Sequence, residues 1–123
     1  MGELRGTFAV KRIYEPPEDD DGCRVLVDRL WPRGLTKAGA AVDLWLKDVA
    51  PSTGLRKEFN HRPERFADFS ERYTQELDSN PAVETLLELA AGHRRVTLLY
   101  AARDTEANHA RVLLDYVRGR RAG

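Results

Sequence analysis

The chain has 123 residues, a length that fits one ordinary domain burying roughly two-thirds of its unfolded surface. Its twenty basic and twenty acidic side chains cancel, which argues against strong nonspecific attraction to nucleic acid or to an anionic membrane. The single cysteine excludes an internal disulfide and indicates a reducing compartment. Because the N-terminus carries no signal-peptide pattern and no apolar run approaches the ~20 residues of a spanning helix, we expect a soluble, cytoplasmic protein with no membrane partner.

The first part of the chain predicts two strands separated by a polar loop. Residues 7–13 alternate and are rich in β-forming side chains, which predicts the first strand. The proline-containing acidic stretch 15–22 is expected to be a solvated loop. Residues 23–30 predict the second strand, with apolar side chains on both faces, as in an inner strand covered twice. One face carries Cys23, Val25 and Val27, and the other carries Leu26 and Leu30.

The rest of the chain predicts helices and a central strand. Four segments show helical spacing of apolar side chains, the first three behind Pro51-Ser52, Pro63 and Asn80-Pro81. Their apolar positions are Leu55 and Phe59; Phe66, Phe69, Tyr73 and Leu77; Val83, Leu86, Leu87 and Ala90; and Ala110, Leu113, Leu114 and Val117. Residues 96–102 are continuously apolar and predict a central strand. Residues 43–49 fit either an extended or a helical pattern, and we favour the extended one.

Strands separated by helices predict an α/β fold in a single compact domain, residues 1–123, with an ordered core at about residues 7–118. We expect a small, mainly parallel or mixed sheet of about three or four strands, flanked by helices. In such sheets ligands bind beyond the carboxyl ends of the strands. The candidate binding segments are therefore residues 28–37, after the second strand, and residues 100–109, after the last strand.

The first of these segments places arginines and an aromatic ring in the turn that leaves an inner strand. Arg29 and Arg33 suit a phosphate or carboxylate, and Trp31 suits stacking on a ring. Asp28 begins the segment, so we predict ligand-binding roles for Asp28, Arg29, Trp31 and Arg33. The alternative is an ion pair between Asp28 and an arginine, a tight turn at residues 32–34, and Trp31 in the core.

The second segment carries a candidate acid–base group at the start of the last helix. Asp104 either caps that helix or orients a ligand together with Asn108. His109 lies near the positive end of the helix, where anions bind and an imidazole tends to stay neutral, so it is a candidate general base. We predict catalytic roles for His109 and Asp104, and ligand contacts for Asn108 and Tyr100. For Tyr100 a core position is the alternative.

Other chemical patterns in the sequence lead to no site. Cys23 and Arg29 have the C-x5-R spacing of a cysteine phosphatase, but the residues between them predict a strand, so Cys23 is predicted to be a small core residue. The three histidines, His61, His93 and His109, lack metal-ligand spacing. We therefore predict no metal site, and nothing in the sequence calls for a cofactor.

Three long motifs carry a resemblance to a known family. The sequences RVLVDRLWPRG at residues 24–34, DLWLKDVAPST at 43–53, and VTLLYAARD with NHA at 96–110 resemble the bacterial family of domain of unknown function 488, the YeaO-like proteins. The resemblance covers nearly the whole chain and carries no reaction with it. It places the family's motif positions on Arg24, Asp28, Arg29, Trp31, Arg33, Trp45, Lys47, Ser52, His61, Tyr73, Tyr100, Asp104, Asn108 and His109.

These observations support three functional hypotheses. The leading hypothesis is a small anionic ligand, either a nucleotide or a phosphorylated metabolite, bound at the two strand ends, with a hydrolase or transferase step if chemistry occurs. The second is a noncatalytic nucleic-acid-binding or regulatory module, which would need a continuous stripe of arginines. The third is a protein-interaction domain with Trp31 and Trp45 as exposed anchors. The sequence leaves the oligomeric state and enzymatic activity open.

Overall fold

A computed structural model describes the backbone of residues 6–122 and the side chains of residues 6–120. The expectation for the extreme N-terminus therefore falls outside the described residues. The strands are β1 (Thr7–Arg12), β2 (Cys23–Leu26), β3 (Leu44–Trp45) and β4 (Arg95–Tyr100). The helices are α1 (Lys37–Ala40), α2 (Thr53–Phe59), α3 (Phe66–Asp78), α4 (Ala82–Gly92) and α5 (His109–Ala122). Short 3-10 helices span Asp19–Asp21, Lys47–Val49 and Pro63–Arg65.

The four strands form one parallel sheet in the order β1-β4-β2-β3. Strand β4 is central, pairing with β1 from Thr7 opposite Arg95 and with β2 from Cys23 opposite Val96. The predicted α/β class, the parallel sheet and the central strand are confirmed, although the strand predicted for residues 96–102 ends at Tyr100. Because every strand runs the same way, all four carboxyl ends meet at one edge of the sheet.

The two faces of the sheet carry cores of unequal size. On the larger side, alternate residues of β2 and β4 pack against helices α2 to α5; Val25 and Leu98 there are fully buried. On the smaller side, Leu26 and Leu99 pack under the segment that runs through α1. Strand β2 is therefore an inner strand covered on both faces, as its sequence predicts.

The predicted helices all form, and local capping explains where several begin. The Ser52 hydroxyl accepts the Leu55 N–H, so α2 starts at Thr53, directly after this N-cap residue. The Asn80 side chain accepts the Ala82 N–H at the start of α4. In α3 the buried positions are Phe69, Tyr73 and Leu77, three of the four predicted from the sequence, and the fourth, Phe66, is half-buried.

The second strand ends four residues earlier than predicted. We expected residues 23–30 to be extended, with Leu30 buried beside Leu26, but β2 stops at Leu26 and Leu30 is 67% exposed. The reason is that Asp28 takes over the next hydrogen bonds: its carboxylate accepts the Ala101 N–H and its carbonyl accepts the Trp45 indole N–H. Side-chain bonds thus replace the ladder, and the chain leaves the sheet before Leu30.

The extended structure predicted for residues 43–49 is correct for only part of the segment. Two ladder bonds flank β3, from Asp43 N–H to the Arg24 carbonyl and from Leu46 N–H to the Leu26 carbonyl. The chain then turns into the 3-10 helix Lys47–Val49. Buried Tyr73 fixes that turn by donating its hydroxyl to the Val49 carbonyl at 2.6 Å.

The acidic loop is not solvated throughout, contrary to the sequence prediction, because Asp21 is buried. Its carboxylate accepts hydrogen bonds from Lys11 and from Arg24, which is itself buried. Its carbonyl accepts the hydroxyl of Thr97 in β4 at 2.6 Å. Asp21 therefore ties the loop to three strands at the amino end of the sheet.

Burial would raise the pKa of the Asp21 carboxyl, but hydrogen bonds from the Glu18 N–H, Lys11 and Arg24 outweigh it, and the pKa lies below its ordinary value. A carboxyl with a lower pKa in the folded than in the unfolded state stabilises the fold above the unfolded value, about pH 4, and loses that contribution as pH falls through the folded value.

We expect Asp21→Asn to lower the free energy of unfolding by about 3 kcal/mol at pH 7, because it leaves Lys11 and Arg24 without their anionic partner. Urea denaturation at several pH values measures this, and the deficit should shrink below about pH 4. The control is Asp20→Asn, an exposed neighbour in the same turn, which should change stability by less than about 0.5 kcal/mol. Equal losses in the two variants would contradict the buried cluster.

Candidate functional site

A cavity of about 540 Å³, here called the edge hollow, opens at the carboxyl end of the sheet. It lies between the segments that leave β2 and β4, beside the turn before α2 and the first residue of α5. Its lining residues are Asp28, Arg29, Leu30, Ala50, Pro51, Arg56, His61, Ala101, Ala102, Arg103, Asp104 and His109. Four of the eight sequence-predicted site residues, Asp28, Arg29, Asp104 and His109, thus face one cavity.

Asp28 holds the floor of the edge hollow together. One carboxylate oxygen, Oδ2, accepts the Ala101 N–H at 3.0 Å, which joins the ends of the two inner strands. The other, Oδ1, lies 3.1 Å from His109 Nε2 but is buried without a hydrogen bond. The predicted alternative of an ion pair between Asp28 and an arginine does not form among the described residues.

His109, the first residue of α5, is oriented by the two residues that directly follow β2. Its Nε2 lies 3.1 Å from the Val27 carbonyl and 3.1 Å from Asp28 Oδ1, and both neighbours are acceptors. The proton of a neutral ring therefore belongs on Nε2. No described residue bonds Nδ1, so that nitrogen keeps its lone pair for a ligand or solvent.

Arg29 reaches across the hollow but uses little of its guanidinium on the protein. Its Nη2 donates to the Ala50 carbonyl at 3.2 Å, while Nε is buried without an acceptor. Among the described side chains, Arg29 Nε and Asp28 Oδ1 are the two buried polar atoms with no hydrogen-bond partner. Buried polar atoms without a hydrogen-bond partner are rare in folded proteins, and these two atoms belong to residues that line the same cavity, the edge hollow.

Two further arginines, Arg56 and Arg103, line the edge hollow and were missed in the sequence. Both are exposed, and neither has a carboxylate partner within residues 6–120. Arg56 belongs to α2, and only the packing of that helix on α3 brings it to this edge. Arg103 lies three residues after the end of β4, and the strand-end rule that selected Asp104 could have selected it.

The hollow continues into a smaller cavity of about 290 Å³, here called the inner recess. The two cavities share Pro51, Arg56, His61, Ala102 and His109. The lining of the recess is completed by Thr53, Lys57, Phe59, Asn60, Phe69, Ala107 and Asn108. Predicted site residue Asn108 is therefore at the recess, next to the edge hollow rather than in it.

Asn108 caps helix α5, and Asp104, the cap candidate in the sequence, bonds the turn before that helix. Asp104 Oδ1 accepts the N–H groups of Glu106 and Ala107, both at 2.9 Å, which forms a turn before the helix and lowers the pKa of that carboxyl. Buried Asn108 caps α5 by accepting the Arg111 N–H at 3.0 Å. The prediction of Asp104 as the helix cap is wrong, because α5 begins only at His109.

The other predicted site residues lie away from the edge hollow. Trp31 packs edge-on against Trp45, with ring centroids 5.5 Å apart, and donates its indole N–H to the Leu35 carbonyl. Arg33 is exposed and outside the lining of both cavities. Tyr100 is buried at the end of β4 and borders a separate hollow beside α3 and α5, and burial raises the pKa of its hydroxyl.

Three broader features of the described residues bear on the class of protein. No group of three or more His, Cys, Asp or Glu side chains within them is arranged to hold a metal ion. Cys23 is buried as predicted, and burial raises the pKa of its thiol. Among the described helices, none is both long and apolar enough to cross a membrane.

Fold and site together define a small α/β protein with an all-parallel sheet and an arginine-lined hollow at its carboxyl edge. The chain belongs to the DUF488 family: residues 7–122 match the family model described as the inactive DUF488-N3 subclade. The resemblance seen in the sequence is thereby confirmed.

Bacterial relatives match over most of their length. The chain is 46% identical over 108 residues to the uncharacterized protein YeaO of Escherichia coli strain K12, covering 88% of this chain and 94% of the relative. It is also 46% identical over 111 residues to the uncharacterized proteins Mb3100c of Mycobacterium bovis and Rv3073c of Mycobacterium tuberculosis, covering 90% of this chain and 93% of each relative. No solved structure matches the chain significantly.

The surroundings of His109 give a spectroscopic prediction. At alkaline pH we expect its neutral ring to carry the proton on Nε2, because both the Val27 carbonyl and Asp28 face that nitrogen. His93 provides an internal control of opposite sign, since its Nδ1 lies 2.9 Å from the Leu89 carbonyl and should hold the proton. Long-range proton–nitrogen NMR distinguishes the two tautomers. A proton on Nδ1 of His109 would rule out the proposed orientation.

Proposed function

We propose that this protein binds a small anionic ligand, a nucleotide or a phosphorylated metabolite, in the edge hollow. The observation that carries the proposal is the unbalanced charge of the lining. Arg29, Arg56 and Arg103 have no carboxylate partner among the described residues, whereas the two aspartates beside them already accept backbone N–H groups. Guanidinium groups with unused donors suit the oxygens of a phosphate or carboxylate.

The backbone of the site adds to this attraction. Helix α5 begins at His109, so its positive end faces the hollow, and anions bind readily at such ends. Asp28 Oδ1 and His109 Nδ1 supply two acceptors near the cationic groups. A ligand that combines an anionic group with a hydroxyl or N–H donor would contact both the guanidinium groups and these two acceptors.

The family description favours binding without chemistry. The subclade is described as inactive, and within residues 6–120 no serine, threonine or cysteine lines the edge hollow. The hydrolase or transferase reading, with His109 as general base, keeps one supporting observation, the approach of Asp28 to Nε2. In that case Asp28 positions His109, whereas Asp104, predicted from the sequence to orient a ligand or cap the helix, is bonded to its own turn.

The two noncatalytic rivals are less well supported. As a protein-interaction anchor, Trp31 or Trp45 would need to be exposed, but each is half-buried and donates its indole N–H to the backbone. Nucleic acid would need a continuous basic stripe, whereas Arg24 and Arg72 are paired with acidic side chains. A small ligand in a cavity fits the arrangement better.

We expect inorganic phosphate and ribose 5-phosphate to bind saturably and to raise the melting temperature of the full chain at constant ionic strength. Arg56→Gln and Arg103→Gln should each weaken binding about tenfold, the usual loss for one charge-assisted hydrogen bond. Neither side chain has a structural partner among the described residues, so both variants should fold normally. Isothermal titration calorimetry measures the affinities.

The matched control is Arg94→Gln. Arg94 is exposed and precedes β4, at the opposite end of the sheet from the edge hollow. Its replacement should leave both affinities within about twofold of the wild type. The proposal is wrong if no phosphate-bearing ligand binds saturably, or if the control weakens binding as much as Arg56→Gln.

A further inference from the structure

The inner recess adds aromatic side chains to the lining of the edge hollow that it joins. Five of its lining residues are apolar or aromatic, Pro51, Phe59, Phe69, Ala102 and Ala107, and the others are polar or charged. Small-molecule sites combine such apolar and aromatic surfaces with polar groups that fix the orientation of the ligand. Because the two cavities share part of their lining, one ligand can extend from the cationic hollow into the recess.

The wall of the recess is built from flat rings. Phe59 and Phe69 are buried and stacked, with centroids 4.6 Å apart and planes inclined by 25°. His61 is exposed, and its ring lies 6.1 Å from Phe59. The recess thus joins a buried aromatic wall to an accessible aromatic ring at its border with the edge hollow.

His61 is held in this position by an uncommon backbone conformation. Asn60 ends α2 with φ of 47°, an ordinary left-handed cap, but His61 follows with φ of 53°. A positive φ costs free energy for a residue with a side chain, and such residues concentrate at binding and active sites. The conformation places the ring of His61 in the lining of both cavities.

The rim of the recess carries polar groups that are free to recognise a ligand. Thr53, Lys57 and Asn60 are exposed, and no described residue bonds their side chains. A hydroxyl, an ammonium and an amide can donate to or accept from the heteroatoms on the edge of a ring. A phosphorylated sugar that lacks an aromatic base would leave the aromatic side chains of the recess without a flat partner.

We propose that the ligand is a phosphorylated compound with a planar heteroaromatic ring, of the nucleoside monophosphate class. Its phosphate contacts Arg29, Arg56 and Arg103 in the edge hollow, and its ring lies in the inner recess against His61 and Phe59. This inference rests on the proposed anion site and specifies the part of the ligand that the anion site leaves open.

Calorimetry with three probes tests the inference: ribose 5-phosphate, adenosine and adenosine 5′-monophosphate. The monophosphate should bind at least tenfold more tightly than ribose 5-phosphate, because stacking on aromatic side chains adds affinity. Equal affinities of the two phosphates would overturn the ring site and leave the anion site standing. Failure of every phosphate probe to bind would overturn both.

A variant of His61 separates a ring contact from a general loss of binding. His61→Asn removes the aromatic ring and keeps a residue type that tolerates positive φ, so the chain should fold. We expect it to weaken the monophosphate about tenfold and ribose 5-phosphate less than twofold. His93→Asn, at an exposed histidine after α4, is the control and should change neither. Equal losses for both ligands in His61→Asn would contradict the ring site.

An independent readout locates the ring. Adenosine 5′-monophosphate should shift the methyl NMR signals of Ala102 and Ala107 through its ring current, because both side chains line the recess. Ribose 5-phosphate should leave the Ala107 methyl signal nearly unchanged. A monophosphate that binds without shifting either methyl group would place the ring elsewhere and overturn the inference.

Discussion

The geometry of the carboxyl edge depends on one side chain, Asp28. Its carboxylate accepts the Ala101 N–H and its carbonyl accepts the Trp45 indole N–H, so it connects the exits of β2, β4 and β3. Each of these two hydrogen bonds takes the place of a backbone hydrogen bond between neighbouring strands, which have ended at this point. The strands can therefore diverge at this edge without leaving the Ala101 N–H unsatisfied, and the space between them becomes the edge hollow.

Hydrogen bonds from Arg12 in β1 to backbone carbonyls also stabilise the carboxyl edge of the sheet. Arg12 donates to the carbonyls of Ala101 and Ala102, which keeps the exit of β4 close to β1. At the opposite end of the sheet, Asp21 joins Lys11, Arg24 and Thr97. The Asp21 carboxylate is thus paired with cations inside the fold, whereas Arg29, Arg56 and Arg103 at the carboxyl edge have no carboxylate partner among the described residues. These unpaired guanidinium groups around one cavity are the physical basis of the functional proposal.

The architecture could be predicted from the sequence because it depends on periodicity. The stripe Phe69, Tyr73 and Leu77 defined α3, and the continuous apolar run of β4 defined the central strand. What the sequence could not predict were contacts between distant segments. The sequence predicts a solvated Asp21 because its partners Lys11 and Arg24 come close to it only in the folded chain. It predicts a second strand that reaches Leu30 because no local pattern indicates the hydrogen bond from Ala101 to Asp28.

The sequence predicts those residues of the candidate site whose position follows from the topology of the sheet. The rule that parallel strands present ligands at their carboxyl ends selected Asp28, Arg29, Asp104 and His109, and these four face one cavity. The rule failed for Arg33 and Trp31, because the chain leaves the sheet in another direction after Arg29. It also passed over Arg56, which reaches the hollow from α2 through helix packing and not through the sheet.

The shortness of β3 has a consequence for how the molecule behaves at high concentration. An outer strand with only two paired residues offers a neighbouring molecule almost no backbone to extend, so association through this border is disfavoured. The longer outer strand, β1, bears Arg12, and a charged side chain on an outer strand opposes pairing with the same strand of a second copy. Both borders of the sheet therefore disfavour strand pairing between copies.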